Sequence, residues 1–141
     1  MLFSPRKLNL FLILNLPSAF LCGVRVMRVD SEKCHVGVRH RWINNNPFKS
    51  MFWAVQGMAA ELSTGALIIL KIKALNQNIS MLVLRNEAQF TKKAKGRITF
   101  KCIQGLEIDN ALQKAIDTGL GQTVLLAVSY THLRAHETLD H

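Results

Sequence analysis

Residues 46–70 read NPFKSMFWAVQGMAAELSTGALIIL, and this stretch decides the fold. Pro47 suits the first turn of a helix, and from about Phe48 onward apolar residues surround nearly the whole helical circumference. A helix of this kind has to be wrapped by other structure. Its one acidic residue is Glu61. Because burial disfavours a carboxylate, we expect the fold either to satisfy Glu61 or to use it chemically.

Neither of the two apolar runs predicts a membrane span. In the central run, a charge such as Glu61 near mid-bilayer would cost roughly 2.5–3.5 kcal/mol. The N-terminal run, Leu8–Gly23, follows two basic residues as in a signal peptide, but polar residues and Pro17 interrupt it. We predict an apolar helix within residues 1–22 that lies on the domain, with peripheral membrane contact as the alternative.

The composition narrows the class of protein and of partner. With 141 residues and 49% hydrophobic content, the chain suits one folded domain and is too apolar for general disorder. Its formal charge of +9 indicates a partner with phosphates or carboxylates: nucleic acid, an anionic membrane or coenzyme A. The three cysteines, Cys22, Cys34 and Cys102, lack a CxxC spacing, which indicates reduced thiols of a cytoplasmic protein.

Strand patterns lie on both sides of the central helix. Apolar residues that alternate or run together predict strands over residues 24–29, 34–38, 79–90, 97–102 and 123–128. Polar turns join the first two strands and the third and fourth into hairpins. A further helix carries an apolar face from Ile108 to Ile116 and is expected to end at Gly119. We therefore predict an α+β fold in which an antiparallel sheet wraps around one central helix.

The C-terminal residues Val128–Thr138 read VSYTHLRAHET and resemble a translated sequencing adapter, a contaminant at the ends of gene fragments. The resemblance implies that residues 128–141 are a non-native tail and that the closing strand of the sheet is missing. His132 and His136 have a spacing that suits zinc on a helix. Because both fall in this tail, we predict no metal site.

Two segments carry a resemblance to a known family: NPFKSMFWAVQGMAAELSTGA (46–66) and SMLVLRNEAQFTKKAKGRITFKC (80–102). They resemble the uncharacterised bacterial branch of hotdog-fold proteins allied to acyl-CoA thioesterases. The resemblance implies a hotdog domain over residues 23–127, in which the sheet wraps around the central helix, with the N-terminal helix as an addition. It also implies a homodimer or homotetramer, because hotdog sites usually lie at subunit interfaces.

The family motif implies roles for the matching residues. It contains an asparagine before a His-Gly-Gly turn and an acid further along the helix; the matching positions are Asn46 for the asparagine, Phe52, Trp53 and Ala54 for the turn, and Glu61 for the acid. The implied reaction is hydrolysis of an acyl-CoA thioester, with coenzyme A as part of the substrate and no separate cofactor. Backbone N–H groups at the helix start would polarise the carbonyl, and Glu61 would act as general base or nucleophile.

The departures from the motif keep a second function open. The histidine and both glycines are absent, so the side chains of Phe52 and Trp53 would narrow the acyl pocket. The alternative is a non-catalytic hotdog module that binds an acyl chain or acyl-CoA. In that alternative Asn46 only shapes the turn and caps the helix, and Glu61 is satisfied by its neighbours.

A basic turn supplies the residues expected to bind coenzyme A. Lys92, Lys93 and Arg97 lie between the third and fourth predicted strands and can hold phosphates. The alternative is a solvated hairpin tip that keeps a sheet edge soluble. Nucleic-acid binding is not predicted, because Phe90 and Phe100 occupy positions expected to be buried and cannot form a stacking surface.

Overall fold

The computed structural model describes residues 4–133, in which one long helix packs against an antiparallel sheet. In chain order the elements are α1 (Pro5–Asn15), α2 (Pro17–Leu21), β1 (Arg25–Val29), β2 (Cys34–Arg39), a short 3-10 helix (Trp42–Asn44), α3 (Trp53–Leu75), β3 (Arg97–Cys102), α4 (Gly105–Thr118) and β4 (Ser129–Leu133). The coarse prediction of an α+β fold with an antiparallel sheet is confirmed. Among the described helices, none combines the length and apolar character that crossing a bilayer requires.

The sheet runs in the order β1-β2-β3-β4, and every neighbouring pair is antiparallel. Alternate residues of β2 and β3 point to the core, so that Val36 lies opposite Phe100 and Cys34 opposite Cys102. A bulge between Val26 and Arg28 interrupts the pairing of β1 with β2. The two central strands therefore present a continuous apolar surface.

One side of α3 covers this surface. Val55, Ala59, Leu62, Ala66 and Leu70 are buried, and they recur every three or four residues, as the core-facing stripe of a helix does. The prediction that the whole circumference is wrapped is wrong for the single chain, because the sheet lies on one side only. α3 ends where Asn76 adopts a left-handed conformation with φ of 53°.

The predicted strand over residues 79–90 does not form. No strand is assigned between α3 and β3 in the described chain, and large side chains of this segment are exposed, with Leu82 at 78%. The predicted partner of this segment was β3, and in the structure β2 and β4 occupy both edges of β3, so the predicted hairpin cannot form. The side chain of Tyr130 holds the segment loosely, because its hydroxyl donates to the carbonyl of Gln89 at 3.3 Å.

The last strand, β4, begins later than the predicted strand over residues 123–128. Residues 123–128 are not in a strand, and β4 starts at Ser129, within the segment predicted to be a non-native tail. The sheet therefore does not lack a C-terminal strand in the described chain, and Tyr130 stabilises β4 by packing its ring 5.6 Å from that of Phe100. The adapter origin of this segment stays a prediction. Its remaining residues, including His136 and Thr138, lie outside the described part of the chain.

α4 is attached to the rest of the fold by a close backbone approach and an ion pair. The Gly105 N–H donates to the Glu32 carbonyl at 2.9 Å, and a Cβ at Gly105 would collide with the Ser31 carbonyl, so only glycine fits there. The ammonium of Lys71, buried in α3, lies 2.8 Å from the half-exposed carboxylate of Asp109 in α4. The predicted end of this helix at Gly119, which has φ of 70°, is confirmed.

We expect the two partners of this ion pair to respond differently to mutation. Asp109→Ala leaves a buried ammonium without its partner and should lower the free energy of unfolding by roughly 1–3 kcal/mol, below the 3–5 kcal/mol of a fully buried pair because Asp109 is half exposed. Lys71→Met also removes the buried charge and should be nearly neutral. Urea denaturation measures both variants, and equal losses would contradict this account.

We also expect alkaline pH to destabilise the fold through Cys34. Burial, followed by the neighbouring Cys102, raises the pKa of the Cys34 thiol from 9.0 to about 12. The unfolded chain can therefore release this proton at a pH where the folded chain cannot, so stability is retained below pH 9 and falls as the pH rises toward 12. Denaturation series between pH 8 and 11 should show a steeper fall for the wild type than for Cys34→Ala. Equal slopes would exclude the thiol as the cause.

Candidate functional site

The loop before α3 is built around the side chain of Asn46. Its Oδ1 accepts hydrogen bonds from the backbone N–H groups of Phe48 at 2.9 Å and Ser50 at 3.1 Å, and its Nδ2 donates to Ser50 Oγ at 3.0 Å. These bonds close a turn over residues that sequence analysis assigned to the helix, which explains why α3 begins at Trp53. The structure thus engages the Asn46 amide in the loop, and its catalytic role stays a prediction.

A second asparagine, which sequence analysis missed, holds this loop to the rest of the fold. Asn44 is only 1% exposed, and its Nδ2 donates to the carbonyls of Cys22 at 3.0 Å and Arg39 at 2.8 Å. Its Oδ1 accepts from the Arg41 N–H at 2.8 Å. Asn44 therefore joins the end of β2 to the segment before β1. Nothing in the run Asn44–Asn46 indicates which of its three amides is buried.

Residues with three predicted roles line one cleft at the N-terminal end of α3. Asn46, Trp53, Lys92 and Lys93 all line this cleft, whose volume is about 410 Å³. Lys93 Nζ donates to the Phe48 carbonyl at 3.4 Å, which holds the basic turn against the loop. Arg97 is exposed on β3 and lies outside the cleft. The structure therefore brings together part of the predicted catalytic, acyl-pocket and CoA-binding sets.

The cleft combines a positive potential with an unused acceptor. No side chain caps the start of α3, and its first turn contains no acidic residue. The positive end of the helix dipole is therefore not neutralised by a local anion, and Lys92 and Lys93 line the same cleft. Gln56, 7% exposed, donates from Nε2 to the Met51 carbonyl at 3.1 Å, while its Oε1 has no hydrogen-bond partner in the described chain. The electrostatics of this cleft favour an anionic ligand.

Glu61 lies elsewhere. It follows Trp53 by eight residues, or about 12 Å along α3, and it lines a different cavity, of about 500 Å³, between the N-terminal helices and α3. The expectation that Glu61 is buried is wrong for the single chain, because its side chain is exposed. Glu61 sits on the side of α3 that the sheet does not cover. Within one chain the structure does not bring it to the cleft that contains Asn46.

The uncovered side of α3 is mostly apolar, with Glu61 and the partly exposed Thr64 as polar residues. Trp53 is 56% exposed, and Ile68 and Ile72 are partly exposed farther along the helix. Phe52, at the helix start, is also exposed, whereas Ala54 is partly buried. An exposed apolar strip of this kind is typical of a surface that another protein surface covers.

The described residues offer no cluster of metal ligands. Between Ser4 and Leu133, no group of three or more His, Cys, Asp and Glu side chains could hold a metal ion. The three cysteines are free thiols, and Cys34 and Cys102 are buried. The polar groups along α3 include the carboxylate of Glu61, the amides of Asn46 and Gln56, the ammonium groups of Lys92 and Lys93, and the N-terminus of the helix.

Comparisons with known proteins bear on the fold. A family model described as a domain of unknown function, DUF4442, matches residues 8–131. A protein of unknown function from Chlorobaculum tepidum TLS shares 18% identity with a TM-score of 0.78, over 93% of this chain and 80% of the other. No curated protein matches the sequence.

Two further solved structures have thioesterase descriptions. A protein from Pseudomonas aeruginosa, described as a probable thioesterase, shares 20% identity with a TM-score of 0.71, over 92% of this chain and 85% of the other. A candidate thioesterase from Shewanella oneidensis shares 12% identity with a TM-score of 0.71, over 91% and 85%. At these identities the likeness shows a shared fold.

The asparagine run supplies a graded stability test. Asn44→Ala removes a buried side chain that makes three hydrogen bonds to the backbone and should lower the free energy of unfolding by about 2 kcal/mol or more. Asn46→Ala, in a partly exposed turn, should lower it by about 1 kcal/mol. Asn45→Ala, the control between them, removes only an exposed hydrogen bond to His40 at 2.7 Å and should lower it by less than about 1 kcal/mol. Thermal unfolding measures all three, and an equal loss at each position would contradict these roles.

Proposed function

The chain belongs to the DUF4442 family of unknown function, and from this premise we propose that it is a homodimeric hotdog-fold enzyme that hydrolyses an acyl-CoA thioester. The observation that carries the proposal is the gathering of Asn46, Trp53, Lys92 and Lys93 in one cleft at the positive end of α3. Support comes from the fold that the chain shares with the two proteins described as thioesterases. The substrate and the free thiols suit a cytoplasmic location.

In the proposed complex, the cleft binds the coenzyme A portion of the substrate. Lys92 and Lys93 are exposed ammonium groups that attract phosphates. The thioester carbonyl oxygen lies against the first backbone N–H groups of α3, those of Trp53 and Ala54, since the N–H of Phe52 already donates to the Asn44 carbonyl at 2.7 Å. These donors and the helix dipole stabilise the negative charge that develops on the oxygen when a nucleophile adds to the carbonyl carbon. Asn46 sets the position of this helix start through its loop bonds.

Glu61 reaches the thioester from a second copy of the chain. Within one copy it is about 12 Å along α3 from the helix start, too far to act on a carbonyl bound there. A second copy that packs its α3 against the uncovered apolar strip, in the opposite direction, brings Glu61 of one subunit toward the cleft of the other. The same packing buries the strip and the exposed indole of Trp53.

The proposed reaction needs one carboxylate and one water. Glu61 takes a proton from water as the oxygen attacks the carbonyl carbon, which forms a tetrahedral intermediate. The intermediate collapses with cleavage of the carbon–sulfur bond, and the proton passes from Glu61 to the departing thiolate. The products are a carboxylic acid and coenzyme A. In the nucleophilic variant, Glu61 itself attacks and water then hydrolyses the mixed anhydride.

The alternative is a module that binds acyl-CoA without hydrolysis. The absence of the histidine and glycines at residues 52–54 is the observation that favours it. The two functions share the cleft and differ in the role of Glu61.

We expect Glu61→Gln to lower kcat for acyl-CoA hydrolysis by about 10²–10⁴-fold, because the amide cannot accept the proton of water. Release of free coenzyme A thiol measures the rate, and circular dichroism checks the fold. Glu87→Gln is the matched control. It removes an exposed carboxylate outside both the cleft and the cavity, whose oxygen lies 3.9 Å from the guanidinium of Arg85. Turnover by Glu61→Gln at the wild-type rate would remove Glu61 from catalysis, and no turnover by the wild type would favour the binding module.

Mixing two impaired variants tests whether the site is shared. Glu61→Gln lacks the proposed base, and the double variant Lys92→Ala/Lys93→Ala lacks the proposed phosphate contacts. If the site is composite, a mixed dimer contains one intact site, so combining the two proteins should restore activity that neither has alone. No recovery after proven subunit exchange would place both halves of the site in one chain.

A further inference from the structure

An elongated cavity of about 500 Å³ runs along α3 beneath the two N-terminal helices. Its α3 wall is one stripe that recurs every three or four residues and includes Met58, Leu62, Gly65, Ile69 and Lys73. Leu8 and Phe11 of α1 form part of the opposite wall. The volume lies within the roughly 300–1,000 Å³ of small-molecule sites, and most of the lining is aliphatic.

The cavity has the length of an extended hydrocarbon chain. Glu61 and Lys73 both line it and are twelve residues apart, so the wall between them is about 18 Å long. A carbon–carbon bond of ~1.5 Å at a tetrahedral angle advances an extended chain by roughly 1.3 Å. The wall therefore spans a linear chain of about a dozen carbons or slightly more.

Gly65 keeps the middle of the cavity open. A Cβ built on Gly65 would have one neighbour within 4 Å, the Cε of Met81 at 4.0 Å, so a methyl group would fit here without a clash. Glycine in a helix interior is unfavourable relative to alanine. Its presence at the centre of the stripe makes room that any larger side chain would fill.

We propose that this cavity holds a linear aliphatic acyl chain, with the carbonyl end beside Glu61. This inference rests on the proposed function for the thioester and names its acyl class as aliphatic and long. Among the described residues that line the cavity, Phe11 is the one aromatic side chain, so the walls offer no flat slot for an aryl group.

The two binding regions then divide the substrate by polarity. In the proposed dimer, the phosphates of coenzyme A lie in the cleft of one subunit, and the acyl chain lies in the cavity of the subunit that supplies Glu61. The thioester lies between them, where Glu61 borders both. Binding of the aliphatic chain buries its own apolar surface and that of the cavity wall, and the binding energy from this burial increases with chain length.

The test uses dodecanoate and butanoate as probes that need no hydrolysis. Isothermal titration should show that each added methylene raises the affinity of the wild type by up to roughly fourfold, with dodecanoate bound far more tightly than butanoate. Dodecanoyl-CoA should compete with dodecanoate for the same cavity. Gly65→Phe should weaken dodecanoate binding at least tenfold, because the ring occupies the middle of the cavity. Ala74→Phe, which adds the same ring at an exposed position of α3 outside the cavity, should bind dodecanoate as the wild type does.

The outcomes separate this inference from the proposed function. If Gly65→Phe does not fold, Ile69→Trp fills the same cavity from a partly exposed position and replaces it. Equal affinity of the wild type for butanoate and dodecanoate, or undiminished binding by a folded filling variant, overturns the inference even if thioesters are hydrolysed. Chain-length-dependent binding that the filling variant abolishes upholds it, even if no thioester is hydrolysed and the proposed function fails.

Discussion

Because α3 carries apolar side chains around nearly its whole circumference, it becomes stable only when those side chains leave water. The sheet removes one side, with Val36 and Phe100 beneath the stripe that includes Ala59 and Leu62. Burial at roughly 25 cal/mol per Å² makes this contact the dominant favourable term of the fold. The N-terminal helices and α4 then pack against the flanks of α3. The N-terminal helices leave a cavity along α3, and α4 forms the ion pair between Lys71 and Asp109.

The start of α3 is determined by polar contacts rather than by helix propensity. Residues 48–52 could continue the helix, yet the Asn46 side chain closes them into a turn, and Asn44 anchors that turn to the strands. Hydrogen bonds from an asparagine to backbone groups compete directly with the helical pattern. The result is a helix terminus without a side-chain cap, open to the cleft, and this open terminus gives the proposed site its positive potential.

The elements that sequence analysis predicted correctly are those whose partners are local. The hairpin of β1 and β2, the β3 strand and the end of α4 at Gly119 follow from alternation and turn chemistry within a few residues. Residues 79–90 have an equally good strand pattern, but their predicted partner β3 pairs instead with β2 and β4, which are distant in the sequence from residues 79–90. The burial of Asn44 and the exposure of Glu61 depend on which side of a loop or helix the remote parts of the chain cover. Patterns within a few residues do not show which side will be covered, so these two features could not be predicted from the sequence.

An acyl-CoA is itself divided, since a polar and highly charged carrier is joined to an apolar chain by a single thioester bond. The two recesses along α3 show the same division: the cleft has two lysines and an uncapped helix start, and the cavity has aliphatic walls. A ligand that used both recesses would have its junction where the polar surface meets the apolar one. Glu61 is the one acidic residue of α3 and borders the apolar recess. In the proposed dimer, the carboxylate of Glu61 therefore lies beside the thioester bond, at the junction between the polar and apolar parts of the substrate. A ligand of uniform polarity would gain binding energy from only one of the two recesses.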